Sequence, residues 1–502
     1  MNYSRGFFLL AIGSMLAVAN AQGDPATIAR VIDEGKNHSQ VQPILTEITN
    51  IGSRLTSSTR LDKAEKWAVD KLKSWGLSNV HLEQWGTIPV GFDRGTKGYG
   101  RMVSPERAEF EYTSPSWSEG TNGPLRGPAI KAPKTLEELN AVKNKLAGAW
   151  IVYDTPGFQR RFRPGQPQQD LTPEQKVQDE ITKTLATAPI AGQVYPSRNE
   201  LCVTSGNFRD KTFENHPTDR SVTIRKSDMD KIQADFAAGK PVTLEFNLDQ
   251  KWRKGPVPVY NVVAEIPGTE KPNEVVIVSG HFDSWDGPGS QGALDNGTGS
   301  TTALEAARIL SKVGAKPKRT IRFILWTGEE QGLFGSRGYV LQHLWEMDMI
   351  SAILVDDGGT DYQGGYNGHE SMRAMMEAAY APVVAAFPDM PEKFTTRELS
   401  PTRIGSDQDS FNALGVPGFF TDESFNQQYG PSDYTFVHHT QHDRIDKAIW
   451  PYLVQSATNH AVVSYNLACA ETLLPRFPTK PNFGPSPSSV PGLLELLKNR
   501  RS

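Results

Sequence analysis

The chain has 502 residues, of which 37% are hydrophobic and 22% are charged, and its formal net charge at pH 7 is −4. This length allows two or three domains with sizeable cores, and the charge gives no electrostatic reason to expect a nucleic acid or an anionic membrane surface as partner. After the N-terminal region, no run of about 20 apolar residues predicts a membrane span.

The N-terminus has the pattern of an export signal. Arg5 precedes the apolar run from Phe7 to Val18, and Ala19-Asn20-Ala21 supplies the small residues of a cleavage site. We therefore predict that residues 1–21 are a signal peptide and that the mature chain begins at Gln22. The expected location of the protein is secreted or periplasmic.

Helical patterns followed by a strand pattern open the mature chain. Residues 27–50 are predicted to be helical, and an amphipathic helix follows between Ser57 and Gly76, where a glycine suits a helix end. The segment Val80-His-Leu-Glu alternates as a strand does. We assign residues 22–95 to the first part of a catalytic α/β domain.

Glycine and proline punctuate short β-type runs in the next region, residues 96–256. Such runs are Glu109–Tyr112, Ala149–Tyr153 and Pro241–Phe246, and a polar helix is predicted over Pro164–Ala186. We interpret this region as an inserted β-rich domain that carries no catalytic cluster of its own.

Strands alternate with helices again from residue 257. The predicted strands are residues 275–279, 321–326 and 352–355, and the predicted helices are Thr301–Val313 and Pro451–Leu473. This alternation predicts a mostly parallel mixed sheet flanked by helices. We assign residues 257–474 to the second part of the catalytic domain and residues 475–502 to a proline-rich tail.

Metal-type side chains follow the predicted strands of the second part. One strand run leads into His281, the next is followed by Glu329 and Glu330, and another is followed by Asp357. Because ligands collect beyond the carboxyl ends of strands in α/β sheets, side chains at strand ends can converge. Asp295 follows in a glycine-bounded loop. Histidines and carboxylates without thiolates suit zinc or another borderline divalent ion.

Several segments, taken in order, carry a resemblance to a known family. They are Ser279-Gly-His-Phe-Asp-Ser-Trp-Asp, Gly292-Ala-Leu-Asp, Pro317-Lys-Arg-Thr, Leu325-Trp-Thr-Gly-Glu-Glu-Gln-Gly, Asp357-Gly-Gly-Thr, Gly415-Val-Pro-Gly and His438-His-Thr-Gln-His-Asp. The pattern resembles the co-catalytic di-zinc exopeptidase family of bacterial aminopeptidases and glutamate carboxypeptidases. Within that family it is most similar to the secreted, carboxypeptidase Q-like branch.

The resemblance implies a site for two zinc ions. The implied ligands are His281, Asp295, Glu330, Asp357 and His439. Asp295 would bridge the two ions, and Asp356 is the alternative to Asp357 as a ligand. The implied fold is that of the zinc exopeptidases, which is phosphorylase/hydrolase-like, and the inserted region would resemble a protease-associated-type domain.

The resemblance also implies roles for side chains that do not bind zinc. Glu329 matches the general base, and Asp283 matches a carboxylate that orients His281. His438 stands where much of the family has tyrosine, and we hypothesise that it donates to the oxyanion of the reaction; a purely structural histidine is the alternative. Asp443 is expected to support His439 from behind.

The function implied is that of an exported zinc-dependent exopeptidase that cleaves terminal peptide bonds of short peptides or dipeptides. The sequence leaves open whether the amino or the carboxyl terminus is attacked, and the branch implies a homodimer. Two rival interpretations are a non-catalytic receptor-like homologue and a one-zinc acyltransferase of the glutaminyl cyclase type.

Other kinds of site fit the sequence less well. Gly287-Pro-Gly-Ser-Gln-Gly matches a dinucleotide-binding fingerprint, but it lies too far past its strand to form the required turn. The chain has two cysteines, Cys202 and Cys469, which we expect to be buried and free.

Overall fold

The computed structural model of the protein describes residues 23–157, 172–359, 361–397, 405–422, 434–477 and 486–499. The predicted signal peptide lies outside these residues, as do the first part of the helix predicted from Pro164 and part of the proline-rich tail. Among the helices that are described, none combines the length and the apolar character needed to cross a bilayer.

Three helices and a long strand come first. They are α1 Pro25–Asn37, α2 Val41–Ile51, α3 Thr59–Ser74 and β1 Ser78–Ile88. The segment predicted to be helical over residues 27–50 therefore forms two helices with a break at residues 38–40. The Ser58 hydroxyl caps α3 by accepting a hydrogen bond from the Leu61 amide, and Gly76 follows the helix with a φ of +82°.

The next region forms a second sheet. Its elements are β2 Gly91–Arg94, β3 Tyr99–Ser104, β4 Ala108–Glu109, β5 Tyr112–Thr113, β6 Leu125–Lys131, α4 Leu136–Val142, β7 Trp150–Val152, α5 Pro173–Thr187, β8 Gly192–Pro196, β9 Ser221–Ile224, α6 Lys226–Ala237, β10 Thr243–Asn247 and β11 Gln250–Arg253. Eight strands are ordered β4-β3-β10-β6-β7-β8-β9-β5, and β2 pairs separately with β11. The strand predicted over Glu109–Tyr112 is divided, because β4 and β5 lie at opposite edges of the sheet.

The remaining elements supply the rest of the first sheet and one separate two-stranded pair. They are β12 Val257–Ile266, β13 Lys271–His281, α7 Thr298–Lys312, β14 Arg319–Trp326, α8 Phe334–Gln342, β15 Ile350–Val355, β16 Gly365–Gly368, α9 Arg373–Ala386, β17 Lys393–Thr396, α10 Gln408–Asn412, β18 Gly418–Phe420, α11 Tyr434–Val437, α12 Trp450–Cys469 and α13 Leu493–Asn499. Six strands are ordered β1-β12-β14-β13-β15-β18. The last four are parallel to one another, whereas β12 pairs antiparallel with both of its neighbours, β1 and β14.

Helices cover both faces of this six-stranded sheet. One face packs on α1, α2, α3, α7, α9 and α12 through the largest apolar cluster of the described chain. The other face packs on α8 and α10, where Trp326 contacts Tyr339 and Phe411. The predicted α/β class and mixed sheet are confirmed. Cys202 and Cys469 are buried and free, as predicted.

Aromatic side chains join the two sheets close to the end of β13. In the second region, which is residues 96–256, Trp117 packs against Trp285 with ring centroids 6.3 Å apart. Phe208 of the same region packs against Phe334 with ring centroids 6.2 Å apart. The boundaries at residues 95/96 and 256/257 remain a prediction, but the contact places the two regions side by side at this edge.

Candidate metal centre

The carboxyl ends of three parallel strands bring the predicted residues together. His281 is the last residue of β13, where it lies beside Trp326 at the end of β14. Glu329 and Glu330 follow Trp326 by three and four positions, and Asp357 follows β15 by two. Since these strands are adjacent and parallel, their ends share one edge of the sheet.

Asp295 reaches the same place from an irregular turn before α7. Its backbone angles, φ −122° and ψ 88°, are not helical, and its peptide bond to Asn296 is cis. The carboxylate of Asp443 accepts hydrogen bonds from the amides of Leu294 at 2.6 Å and Asp295 at 3.4 Å. Asp443 therefore holds the Asp295 turn, which differs from the role behind His439 that the sequence indicated.

The two oxygens of Asp295 face two different groups of donors. Oδ1 lies 3.2 Å from Nε2 of His281, and that nitrogen lies 3.0 Å from Oδ1 of Asp357. Oδ2 lies 3.2 Å from Nε2 of His439, and that nitrogen lies 2.9 Å from Oε2 of Glu330. Asp295 thus stands between two histidine–carboxylate pairs and touches both.

The donor atoms fit divalent ions in kind and spacing. Zinc bonds to nitrogen and oxygen of about 2.0–2.1 Å would separate neighbouring ligands of a tetrahedron by about 3.3 Å. His281, Asp295 and Asp357 form one group of atoms within 4.8 Å of one another, and Asp295, His438 and His439 form a second. Among the described residues that line the cavity, none is lysine or arginine.

Hydrogen bonding prepares His281 for such a role. Its Nδ1 lies 3.0 Å from the backbone carbonyl oxygen of Asp283, so this nitrogen carries a proton and Nε2 is the nitrogen that would bind a metal ion. The sequence assigned this support to the Asp283 carboxylate, whose Oδ1 is 3.7 Å from Nδ1. That carboxylate also accepts hydrogen bonds from the Thr56 hydroxyl and the Glu329 amide, and its role in orienting His281 stays a prediction.

The cluster is short of positive charge. Burial alone would lower the pKa of His439, but Glu330 and Asp295 outweigh it and raise this pKa to about 11. His281 is likewise raised, because Asp357 and its other carboxylate neighbours outweigh its burial. Burial and the nearby Asp295 charge raise the pKa of Glu330 to about 7. Protons on these groups occupy the place that a bound cation would take.

Glu329 lies in the cavity beside the cluster, and like Glu330 it belongs to neither of the two donor groups. Its pKa is raised well above the ordinary value, first by burial and then by the negative charges of Asp357, Asp407 and Glu330. Glu330 differs, because its second oxygen accepts a hydrogen bond from the Trp285 amide at 3.2 Å. Adjacent glutamates thus have different surroundings.

Asp356 and Asp357 face different parts of the molecule. Asp357 lines the cavity and contacts His281. Oδ2 of Asp356 lies 4.0 Å from Nδ1 of His460, on α12, and its pKa is raised to about 7, chiefly by burial. Of the two, only Asp357 belongs to a group of potential metal donors in the described chain.

His438 lies at the rim of the cavity. Its side chain is 45% exposed and stacks on His439, with ring centroids 3.7 Å apart, while its Nε2 is 3.9 Å from Oδ2 of Asp295. Burial of the rest of the ring lowers its pKa, which favours the neutral imidazole. It is therefore available to donate a hydrogen bond into the cavity.

Two supporting residues were not found from the sequence. Arg54 is fully buried and donates to the backbone oxygens of Phe282 and Gly292, both at 2.7 Å, so it joins the His281 and Asp295 segments. Asp407 is fully buried near the cluster, and burial raises its pKa to about 7. Nothing in the local pattern around either residue marks it, because their partners are distant in sequence.

The cavity above the cluster has a volume of about 360 Å³. Its described lining residues are His281, Asp295, Glu329, Glu330, Gln331, Gly332, Leu333, Asp357, Gly405, Tyr434, His438 and His439. A cavity of this size accommodates a small ligand.

Comparison with known proteins gives consistent results. The family model described as Peptidase family M28 matches residues 261–464. Carboxypeptidase Q of Mus musculus is 26% identical over 490 residues, which cover 93% of this chain and 97% of that protein. Carboxypeptidase Q of Xenopus laevis is 28% identical over 440 residues, which cover 86% of each.

Solved structures share the fold. A Peptidase M28 precursor from Shewanella amazonensis SB2B superimposes with a TM-score of 0.62 at 23% identity, covering 91% of this chain and 99% of that one. BSAP, a zinc aminopeptidase from Bacillus subtilis, gives a TM-score of 0.51 at 18% identity, covering 86% and 98%. The match to Peptidase family M28 spans β13, β14 and β15 and every residue of the cluster.

Proposed function

We propose that the protein is an exported zinc-dependent exopeptidase that hydrolyses terminal peptide bonds of short peptides or dipeptides. The observation that carries this proposal is the position of Asp295, whose two oxygens face separate histidine–carboxylate pairs. A carboxylate placed in this way suits the bridge between two metal ions. The zinc aminopeptidase among the structural neighbours supports zinc as the metal.

The ligands divide into two sets. His281 and Asp357 would hold one ion, Glu330 and His439 would hold the other, and Asp295 would bind both. The contacts of Asp356 with the α12 side support Asp357 in preference to it. Zinc, when bound, supplies Lewis acidity toward the scissile carbonyl and lowers the pKa of water at the site.

Glu329 would move the proton. As general base its carboxylate takes a proton from the attacking water, and it then delivers that proton to the nitrogen of the leaving amine. The products are a carboxylic acid and an amine. In the metal-free protein burial and the neighbouring carboxylates raise the pKa of Glu329, and cationic charge at the cluster would favour the ionised form that the role requires.

His438 would contribute to catalysis by donating to the oxyanion. Its place at the rim, its neutral imidazole and its contact with His439 support this role. We expect His438→Ala to lower kcat/KM by about 10-fold or more, as measured with a chromogenic dipeptide. A loss within about threefold would contradict the oxyanion role and leave His438 a structural one.

The substrate class follows from the surroundings of the cavity. The second region, residues 96–256, packs through its aromatic residues beside the site, and we propose that it acts as a protease-associated-type domain that restricts access. A cavity of about 360 Å³ favours short peptides over folded proteins. Export through residues 1–21 and assembly as a homodimer complete the proposal.

The test is a digest of a peptide library by the purified mature protein, with and without a chelator, read by mass spectrometry. We expect loss of single terminal residues that stops on chelation and returns with zinc. A protein that binds zinc without releasing any product would support the receptor-like alternative. Cyclisation of Gln-initiated peptides together with one zinc per chain would support the glutaminyl cyclase-type alternative.

A further inference from the structure

The second region contacts the His439 segment directly through Gln441. This side chain is only 8% exposed although it lies two residues after His439. Its Oε1 accepts a hydrogen bond from the Cys202 amide at 2.8 Å, and its Nε2 donates to the Glu111 carboxylate at 2.8 Å and to the Glu200 carbonyl at 3.0 Å. All three partners belong to residues 96–256, so one glutamine links that region to the cluster.

A second contact reaches His439 itself. The Thr204 amide donates to the backbone oxygen of His439 at 2.8 Å. Thr204 also packs closely on the loop after β13, since a Cβ added at Gly287 would lie 1.9 Å from its Oγ1. The segment from Glu200 to Thr204 therefore fits between the His439 segment and the loop that follows His281.

The conformation of His439 requires such support. Its φ of +60° lies in the left-handed region, which is uncommon for residues other than glycine and persists where the surroundings enforce it. The hydrogen bonds made by Thr204 and Gln441 fix the chain at His439 itself and two residues after it. They are contacts that can hold its imidazole toward Asp295 and Glu330.

We propose that Gln441 is a positioning residue through which the second region sets the geometry of His439, so that docking of this region and metal affinity are coupled. This inference rests on the proposed metal-binding function. Partners that orient a ligand typically affect metal affinity by about 10- to 100-fold. The coupling is reciprocal: bound metal should also strengthen the docking of the Glu200–Thr204 segment.

The experiment measures zinc affinity by competition with a chromophoric chelator, using the full mature chain. Gln441→Ala removes the hydrogen bonds to the second region from the His439 segment. Glu111→Ala removes one of these hydrogen bonds from the second region and leaves the sequence of the His439 segment unchanged. The control is Arg253→Gln, which breaks another contact between the two regions, that of Arg253 with Asp62 at 2.7 Å. The metal-free melting temperature of each variant records general effects on folding.

We expect Gln441→Ala to lower the affinity for one of the two zinc ions by about 10-fold or more and to leave the affinity for the other nearly unchanged. Glu111→Ala should weaken the same equivalent, the double variant should show less than the sum of the two effects, and Arg253→Gln should match the wild type. Zinc should increase hydrogen-exchange protection of the Cys202 and Thr204 amides in the wild type, and less so in Gln441→Ala.

Wild-type affinity for both equivalents in Gln441→Ala and Glu111→Ala would overturn the coupling. An equal loss at both equivalents in all three variants would also overturn it, because that pattern indicates general loosening. Failure of the wild-type protein to bind zinc is a separate result that contradicts the proposed function itself.

Discussion

Buried carboxylates have different partners in the two sheets. In the eight-stranded sheet, Glu245 is buried, yet it contacts the guanidinium groups of Arg101 and Arg126 and accepts a hydrogen bond from Tyr99. These partners outweigh burial and lower its pKa. At the edge of the six-stranded sheet, Asp295 and its neighbours contact histidines, and no arginine or lysine lines the described cavity.

This difference separates a structural carboxylate from a functional one. A buried charge is expensive unless it is paired, so a carboxylate that already has its cation within the chain is explained by folding alone. Asp228 is a second example in the eight-stranded sheet region, since Arg225 at 2.9 Å and Lys231 at 3.1 Å accompany it. Among the described residues, no arginine or lysine lines the cavity beside the carboxylates around Asp295, and in the proposed function a metal ion would supply the missing charge.

The largest expected effect is on catalysis. Glu329→Gln should lower kcat/KM for a short peptide by about 10²- to 10⁴-fold, because the general base is lost while the metal ligands remain. Zinc content and affinity should match the wild type. Glu245→Gln is the matched control from the other sheet, and it should keep kcat/KM within about threefold of wild type. Full turnover by Glu329→Gln would refute its role.

The next effect concerns the pH dependence of stability in the metal-free protein. Burial raises the pKa of Asp407 to about 7, so between its unfolded pKa and pH 7 the folded state binds more protons than the unfolded state. Stability from this group is therefore fully present at low pH and is lost as pH rises toward 7 and beyond. Asp407→Asn removes this titrating group. The free energy of unfolding of the variant, minus that of the wild type, should therefore increase by about 3 kcal/mol between pH 4 and pH 8.

Denaturant unfolding of both proteins at the two pH values, with chelator present, measures this difference. If the difference in free energy of unfolding between variant and wild type is the same at both pH values, the pKa of Asp407 is not raised by folding and the prediction is wrong. The metal-loaded proteins serve as a comparison, because bound cations stabilise the charged cluster.

The smallest expected effect is a loss of stability caused by a substitution in the eight-stranded sheet. It is opposite in sign to the gain expected for Asp407→Asn above its unfolded pKa. Glu245→Gln should lower the free energy of unfolding by about 1–2 kcal/mol at pH 7, because it removes charge-assisted hydrogen bonds to partners that water can partly solvate. Denaturant unfolding followed by tryptophan fluorescence provides the measurement. A variant as stable as the wild type, or more stable, would remove the contrast between the two sheets.

Much of the fold was readable from periodicity. The strands that end near His281, Trp326 and Val355 are apolar runs with clear ends, and α7 and α12 carry regular apolar faces. The strand ends indicated His281, Glu329, Glu330 and Asp357 as candidates, whereas the role of each site residue came from the family resemblance. Local pattern reports which face of an element is buried, and here it sufficed to place the cluster at one edge.

What the sequence did not indicate depends on contacts between distant segments. Arg54 donates hydrogen bonds to the backbone of Phe282 and Gly292. Gln441 donates to the Glu111 carboxylate and to the Glu200 carbonyl. Neither contact leaves a local periodicity. Asp443 shows the same limit, because its nearness to His439 in sequence suggested one partner while the fold gave it another, the Leu294 amide.

The most direct test of the account is a crystal structure of the zinc-loaded protein with anomalous data collected on both sides of the zinc edge. The account predicts two anomalous peaks per chain, with Asp295 bound to both ions, His281 and Asp357 on one, Glu330 and His439 on the other, and Glu329 bound to neither. A single peak, or two peaks with Glu329 as a ligand, would contradict it.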